Sequence, residues 1–295
     1  MDNKTSKLIY IASMLIFGSI GLFVRNISMP SLHIAFIRSF VGTAVMMIIY
    51  LVLKRKLDRK AIMVNRYNLL FAGTFLGINW ILLFEAYKRT TITSATLAYY
   101  MAPIIFIILS SLFLKTRLTA IRIMTILVAF FGLVTLQMKD MEIIYSEMHT
   151  EGIGFGLAAA FFYALVIIFN RKMEKIGGMD RTFMELLLSL LVLGLYMAVI
   201  GDFADFEVPR SAVFYALFLG VIHTGLAYYL YFSTVDKLDS QHVALFSYID
   251  PLSAILFSVA FLGETIYLNL GVGALLILGS SVLFDLIGQK EKLRS

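Results

Sequence analysis

The chain has 295 residues, 60% of them hydrophobic and 15% charged, with a net charge of +6 and a mean hydropathy of +0.88. A soluble domain carries about a quarter of its residues charged, so this composition excludes an ordinary water-solvated globule. There is no cysteine, which excludes disulfides and thiolate metal sites.

The apolar residues fall in runs about as long as the ~20 residues that cross a bilayer. Unpaired backbone groups in hydrocarbon cost several kcal/mol each, so every run is predicted to be a helix. The first span, about 8–24, follows Lys4 and Lys7 and imitates a signal peptide. Its apolar run is too long for one and no small-x-small cleavage site follows, so it reads as a span. The second, 31–53, carries Arg38; the third, 67–87, carries Trp80 and Glu85; the fourth, 93–114, carries Tyr99, Tyr100 and a mid-span Pro103. The fifth and sixth run over about 119–137 and 152–170, and the seventh, 182–200, opens near Glu185. In the eighth, 211–234, His223 stands between Gly220 and Gly225, with Tyr228 beyond. The ninth, 241–262, holds Tyr248, Asp250 and Pro251. The tenth, 266–287, presents Gly271, Gly273, Gly279, Ser280 and Ser281, a small-residue face suited to close packing within a monomer or between two protomers.

Charge orients the spans. Of the 25 basic residues, nineteen lie on the side of both termini, in the loops around Lys54–Lys60, Lys115–Arg122, Arg171–Arg181 and Lys237 and at the two ends. Five lie on the other side (Arg25, Lys88, Arg89, Lys139 and Arg210), and Arg38 is inside a span. A missed span would swap every later loop, so both termini are expected in the cytoplasm. The basic balance therefore reports membrane orientation, and no nucleic-acid partner is expected.

A shift of 148 residues aligns Tyr100 with Tyr248, Pro103 with Pro251, Ile107 with Ile255, Ser110 with Ser258 and Leu114 with Leu262. These recur every three to four residues, so the repeat preserves one helix face. Five spans per half is an odd number, which sets the second half upside down relative to the first. Secondary transporters recurrently use such inverted repeats, with the solute held near the midplane between them.

These features resemble the drug/metabolite transporter superfamily, in its EamA-domain branch. The resemblance is carried by His33-Ile34-Ala35-Phe36-Ile37-Arg38, by Glu85-Ala86-Tyr87 through Ala102-Pro103, by Tyr231 through Asp250-Pro251, and by Leu262-Gly263-Glu264-Thr265 with the glycine-rich tenth span. One departure is Lys115-Thr116-Arg117, where a Glu is usual. The resemblance implies an all-α integral membrane fold of ten transmembrane helices as two inverted five-helix repeats, 1–145 and 146–295. It also implies small-solute transport, often export of amino acids, metabolites or amphipathic drugs. A central cavity between spans one, three, four, six, eight and nine comes from the resemblance alone.

Ionisable residues inside a membrane are expensive and are functional candidates by default. Asp250 precedes a proline that leaves a carbonyl four residues back without its donor. It either binds a substrate amine or carries a proton, or it caps the local break. His223 either exchanges protons near neutral pH or is a satisfied core group. Glu85 and Arg38 have compatible depths, and the plainest reading is an ion pair between neighbouring helices, with Lys88 as competitor. The functional reading gives Glu85 an amine and Arg38 a carboxylate. Glu185 is read as able to snorkel to the interface. Trp80, Tyr99, Tyr100, Tyr228 and Tyr248 are candidate cavity walls, able to hold an organic cation on their faces, with core packing as the competing account; Pro103 and Pro251 are candidate hinges.

Neither a Walker loop, HExxH, a Cys/His ligand cluster nor GxSxG is present, so ATP-driven pumping and the commoner hydrolases find no support, and no cofactor or metal is expected. The expectation is a secondary transporter of a small organic solute, an amino acid or related amine or metabolite, exported by alternating access through the plasma (inner) membrane. Proton-coupled multidrug efflux of organic cations is the alternative within that class. An intramembrane enzyme or a structural membrane protein is the alternative outside it; an aspartyl mechanism would need two acids sharing a site. Because the chain lacks cysteine, the topology is directly testable: a single cysteine replacing Arg59 reacts with an impermeant thiol reagent only after the cells are opened. Labelling from outside intact cells would refute the orientation.

Overall fold

Backbone groups in lipid have no water to bond, and this chain satisfies them almost entirely within helices. The computed structural model describes residues 3–113, 120–135, 138–139, 142–143, 147–203, 206–238 and 240–294. In chain order the α-helices are α1 (Asn3–Gly18), α2 (Ile20–Arg25), α3 (Ser31–Val52), α4 (Arg59–Val64), α5 (Arg66–Arg89), α6 (Ile92–Tyr99), α7 (Ala102–Phe113), α8 (Ala120–Thr135), α9 (Glu147–Arg171), α10 (Gly178–Ile200), α11 (Arg210–Gly220), α12 (Ala227–Thr234), α13 (Ser240–Ser247), α14 (Ile249–Leu262) and α15 (Leu268–Arg294). A two-residue antiparallel ladder, Met138–Lys139 with Glu142–Ile143, lies between α8 and α9.

Among the described residues, 7 helical stretches are long and apolar enough to cross a membrane: Lys4–Arg25, Ser31–Val52, Arg66–Arg89, Ile92–Phe113, Glu147–Arg171, Gly178–Ile200 and Arg210–Thr234. Ile123–Thr135, Ile249–Leu262 and Leu268–Ser280 are shorter apolar helices. Large apolar side chains face outward from them, Leu275 at 77% and Val199 at 76% exposure, as an integral membrane protein requires. Each span read from the sequence overlaps one of these stretches, but the first (α1, α2), fourth (α6, α7) and eighth (α11, α12) are divided, and the ninth is two helices, α13 and α14. Leu114 and the Lys115-Thr116-Arg117 departure lie outside the described residues.

Proline explains that interruption and a matching one. Pro103 has no N–H for the carbonyl of Tyr99, and Pro251 none for that of Ser247. The helices α6 and α13 end at those two residues. The residues at the breaks have nearly the same backbone, Tyr100 at φ −73°, ψ 5° and Tyr248 at φ −73°, ψ −8°. The 148-residue shift carries α6 onto α13 end for end, and the first residue of α8 onto that of α15.

Packing between the halves is reciprocal. Helix α5 lies along α9 while its counterpart α12 lies against α1; α7 packs on α9 and α14 on α1; α3 and α10 pack on each other, as do α8 and α15. Reciprocity of this kind is what a two-fold contact gives. The turn after α14 reinforces the join. Glu264 accepts from the Ile92 N–H (2.7 Å), the Thr93 N–H (3.2 Å) and the Thr93 hydroxyl (2.9 Å), and pairs with Arg25 at 2.8 Å. Its carboxylate thus meets the orphan donors and positive dipole end of α6.

Between α11 and α12 the helix widens to a π turn, Val221–Leu226. Gly220 and Gly225 bring this turn against Val41 and Val45 of α3, and a Cβ on Gly225 would fall 2.2 Å from Val45 Cγ1. By contrast, nothing stands within 4 Å of the Cβ positions of Gly271 and Gly279, so the small-residue face of α15 is open there; α15 meets α8 at Gly132, beside the Gly273 carbonyl. Gly225→Ala should therefore force a stiff β-branched neighbour aside and cost about 1–3 kcal/mol, lowering the melting temperature in detergent. Gly271→Ala, with room for its methyl, should leave it unchanged or slightly higher. Equal melting temperatures for the two variants would contradict the close approach.

Candidate functional site

A cavity of about 390 Å³ opens between the two halves, within the ~300–1,000 Å³ range of small-molecule sites. Its wall draws on α1, α3, α5, α6, α7, α9, α10, α12, α13 and α14, and is mostly aromatic and aliphatic: Tyr10, Phe17, Trp80, Tyr87, Tyr99, Tyr163, Tyr228 and Tyr231 among others. Tyr99, Tyr100 and Tyr163 form a chain of ring contacts, 6.1 and 5.5 Å between centroids, and Tyr228 packs on Phe17 at 5.4 Å. Polar groups are few, and each is placed by a local feature of the chain.

Arg38 enters from α3. Its Nε donates to Thr224 Oγ1 at 2.8 Å, and its guanidinium carbon lies 4.2 Å from the Trp80 ring centroid and 5.6 Å from that of Phe84. The π turn makes Thr224 available: its hydroxyl donates to the Leu219 carbonyl five residues back (3.2 Å) while accepting from Arg38. Asp250 enters at the second helix break. It accepts from the Tyr100 hydroxyl at 2.8 Å, and no basic residue among the described ones pairs with it. Tyr100 stands at the first break, so one hydrogen bond links the two proline-interrupted helices across the cavity.

A third polar group was underrated by sequence. Glu185 of α10 lines the cavity at 6% exposure, with Arg181 Nε 3.9 Å away, too far for a hydrogen bond. Glu185 Oε1, Arg181 Nε and Asn170 Oδ1 are all buried without hydrogen-bond partners. Its position near a span end suggested snorkelling; the signal for the site was its register on a helix that also packs on α3 and α5.

Of the residues singled out above, Trp80, Tyr99, Tyr100, Pro103, Tyr228, Asp250 and Arg38 come together in the cavity wall. Glu85 does not. It accepts from Ser31 Oγ (2.7 Å) and Arg89 Nε (2.9 Å), so the expected Arg38–Glu85 pair is absent. Arg89, one turn along the same helix, is the nearer cation, while Lys88 donates to the Met29 carbonyl. His223 is also off the wall, fully buried between the Phe23 and Phe218 rings with Nε2 2.9 Å from Ser19 Oγ. Tyr248 packs into the cluster around Leu97 and Ile104, and Pro251 is buried in α14. Spans two and seven, absent from the expected cavity, contribute Arg38 and Glu185. No group of three or more His, Asp and Glu among the described residues could hold a metal ion.

Comparison with known proteins gives a family, two relatives and a fold. The sequence pattern described as the EamA-like transporter family matches residues 5–138 and again 150–284. The chain is 27% identical over 273 residues to the uncharacterized transporter YxxF of Bacillus subtilis (strain 168), covering 92% of this chain and 87% of that one. It is 26% identical to an uncharacterized transporter of Archaeoglobus fulgidus, over 91% of this chain and 92% of the other. A solved crystal structure superposes with a TM-score of 0.63 at 18% identity, over 98% of this chain and 99% of its own, a likeness of fold.

Deleting the hydroxyl that holds Asp250 tests the geometry. Tyr100→Phe leaves the half-buried Asp250 carboxyl without its donor and should cost about 1 kcal/mol, seen as a lower melting temperature in detergent. Tyr100→Phe melting with the wild type would show that the bond at the two breaks contributes nothing.

Proposed function

Since this chain belongs to the EamA-like transporter family, we propose that it is a secondary transporter moving a small organic solute across the plasma (inner) membrane by alternating access. The solute is an amino acid or a related amine or metabolite, and the direction is export. The observation that carries this reading is the cavity walled by both halves, with Asp250 on its wall and unpaired by any described cation.

In this reading the chain crosses the bilayer as ten transmembrane helices in two inverted five-helix repeats, 1–145 and 146–295, with both termini cytoplasmic. The equal backbone breaks and reciprocal packing support a two-fold relation, and an odd number of spans per half supports its lying in the membrane plane. Rocking one half against the other would expose the same cavity to each face in turn. The Glu264 junction, which ties the turn after α14 to the start of α6, is then a contact that opening on that side must break. The partners are the lipid bilayer and the solute, in a monomer or homodimer.

A second reading is proton-coupled multidrug efflux of organic cations, favoured by the same acid: Asp250 among aromatic rings can serve an ammonium or a proton. Both readings make the carboxyl essential. Asp250→Asn keeps shape and most hydrogen-bonding capacity but cannot ionise. In proteoliposomes it should slow solute movement by about tenfold or more, equivalent to about 1.4 kcal/mol on the limiting barrier, and remove the dependence on a pH gradient. Normal rates with an unchanged pH profile would make the acid structural.

A further inference from the structure

The cavity wall holds two acids, Asp250 and Glu185, and two cations, Arg38 and Arg181, and Arg38, the more deeply buried of the cations, poses the harder physical problem. A carboxyl group can shed its charge by taking a proton, whereas a guanidinium stays charged in proteins. Arg38 is only 3% exposed, and an unpaired buried charge carries a penalty of several kcal/mol. Its surroundings offset that only in part. The Thr224 hydroxyl accepts from Nε, the Trp80 and Phe84 rings face the guanidinium, and Tyr228 lies beside it. All of these are neutral. No carboxylate among the described residues forms an ion pair with it, and Glu85, the acid at compatible depth, is engaged by Ser31 and Arg89. A guanidinium has five N–H donors, of which Thr224 and Tyr228 occupy two at most. The group lines the cavity, so an anion arriving there meets a preformed, aromatic-backed fork.

The geometry points to Arg38 as an anion subsite that docks a carboxylate of the transported solute. This rests on reading the cavity as a solute site, and it narrows the class: the solute carries a carboxylate together with its amine. A carboxylate suits the fork because both are planar and can share two parallel hydrogen bonds. A phosphate dianion suits it less, because Asp250 and Glu185 face the same space. Arg38, Asp250 and Glu185 line one cavity, so a zwitterion entering it meets both signs of charge.

The protein contains its own reporter, since Trp80 is the only tryptophan in the sequence and lies under the guanidinium. Purified full-length protein in detergent is titrated with neutral α-amino acids, each beside the amine that lacks its carboxylate, and with chloride and inorganic phosphate, following tryptophan emission. At least one amino acid should give a saturable change at a concentration at least tenfold below that of its amine. Arg38→Gln should erase that difference, and Arg38→Lys, which keeps the charge and loses the fork, should restore part of it. The inference is overturned if the amine matches its amino acid, if the preference survives in Arg38→Gln, or if chloride or phosphate does as well as the carboxylates. Should Arg38→Gln fail to fold, the wild-type pairs decide alone. Uptake into proteoliposomes separates this from the transport reading: carriage of amines with no carboxylate preference refutes the Arg38 assignment only, while no uptake of any panel solute refutes both.

Discussion

Two prolines set the conditions under which the rest of this molecule is built. A helix in lipid closes its own hydrogen bonds, and Pro103 and Pro251 each prevent one closure four residues upstream. Broken backbone is tolerated at membrane depth only where it is enclosed by protein or lines a water-filled space. Both breaks are enclosed by the opposite half: α9 runs beside α6 and α7, and α1 beside α13 and α14. The hydrogen bond from Tyr100 to Asp250 spans the space between them. Helix breaks, the cavity and the join between halves are thus one feature seen at three scales.

The charges follow from that arrangement. A charged side chain belongs in hydrocarbon only where it meets a partner or water, and the cavity is where Arg38, Asp250 and Glu185 face inward. Arg38 rests on a ring and a hydroxyl, Asp250 on a phenol, and Glu185 has an oxygen with no hydrogen-bond donor, 3.9 Å from Arg181. The opposite extreme is Glu264, whose carboxylate is saturated by Arg25 and the start of α6. One acid joins the halves, and the other two line the cavity between them.

Much of this was legible in the sequence because lipid makes composition informative. The runs of apolar residues located the helices, the prolines located the breaks, and the pairing of Tyr100 with Tyr248 and Pro103 with Pro251 exposed the repeat. What failed was rotation about each helix axis. Depth along a span can be counted, but the direction a side chain faces depends on which neighbour the helix packs against. Arg38 and Glu85 have compatible depths and face different partners. His223 was displaced for a related reason: the π turn around it depends on Gly220 and Gly225 meeting Val41 and Val45, a contact no local pattern announces. Tyr248 shares the backbone of Tyr100 and packs on the same apolar cluster, yet of the two only Tyr100 reaches the cavity wall. Glu185 was misjudged because nearness to a span end was taken for nearness to water.

The central claim is that the space between the halves is wet and receives solute while the protein is in a bilayer. In a chain without cysteine, Val166→Cys is a near-isosteric probe, buried on the cavity wall, and Leu275→Cys is a lipid-facing control. A thiol reacts as its thiolate, which forms in water and not in hydrocarbon. In proteoliposomes the account predicts that a small water-soluble thiol reagent modifies the cysteine at 166, that the cysteine at 275 stays inert, and that transported solute slows the reaction at 166. A cysteine at 166 as inert as the one at 275, or one whose rate no solute changes, would contradict it.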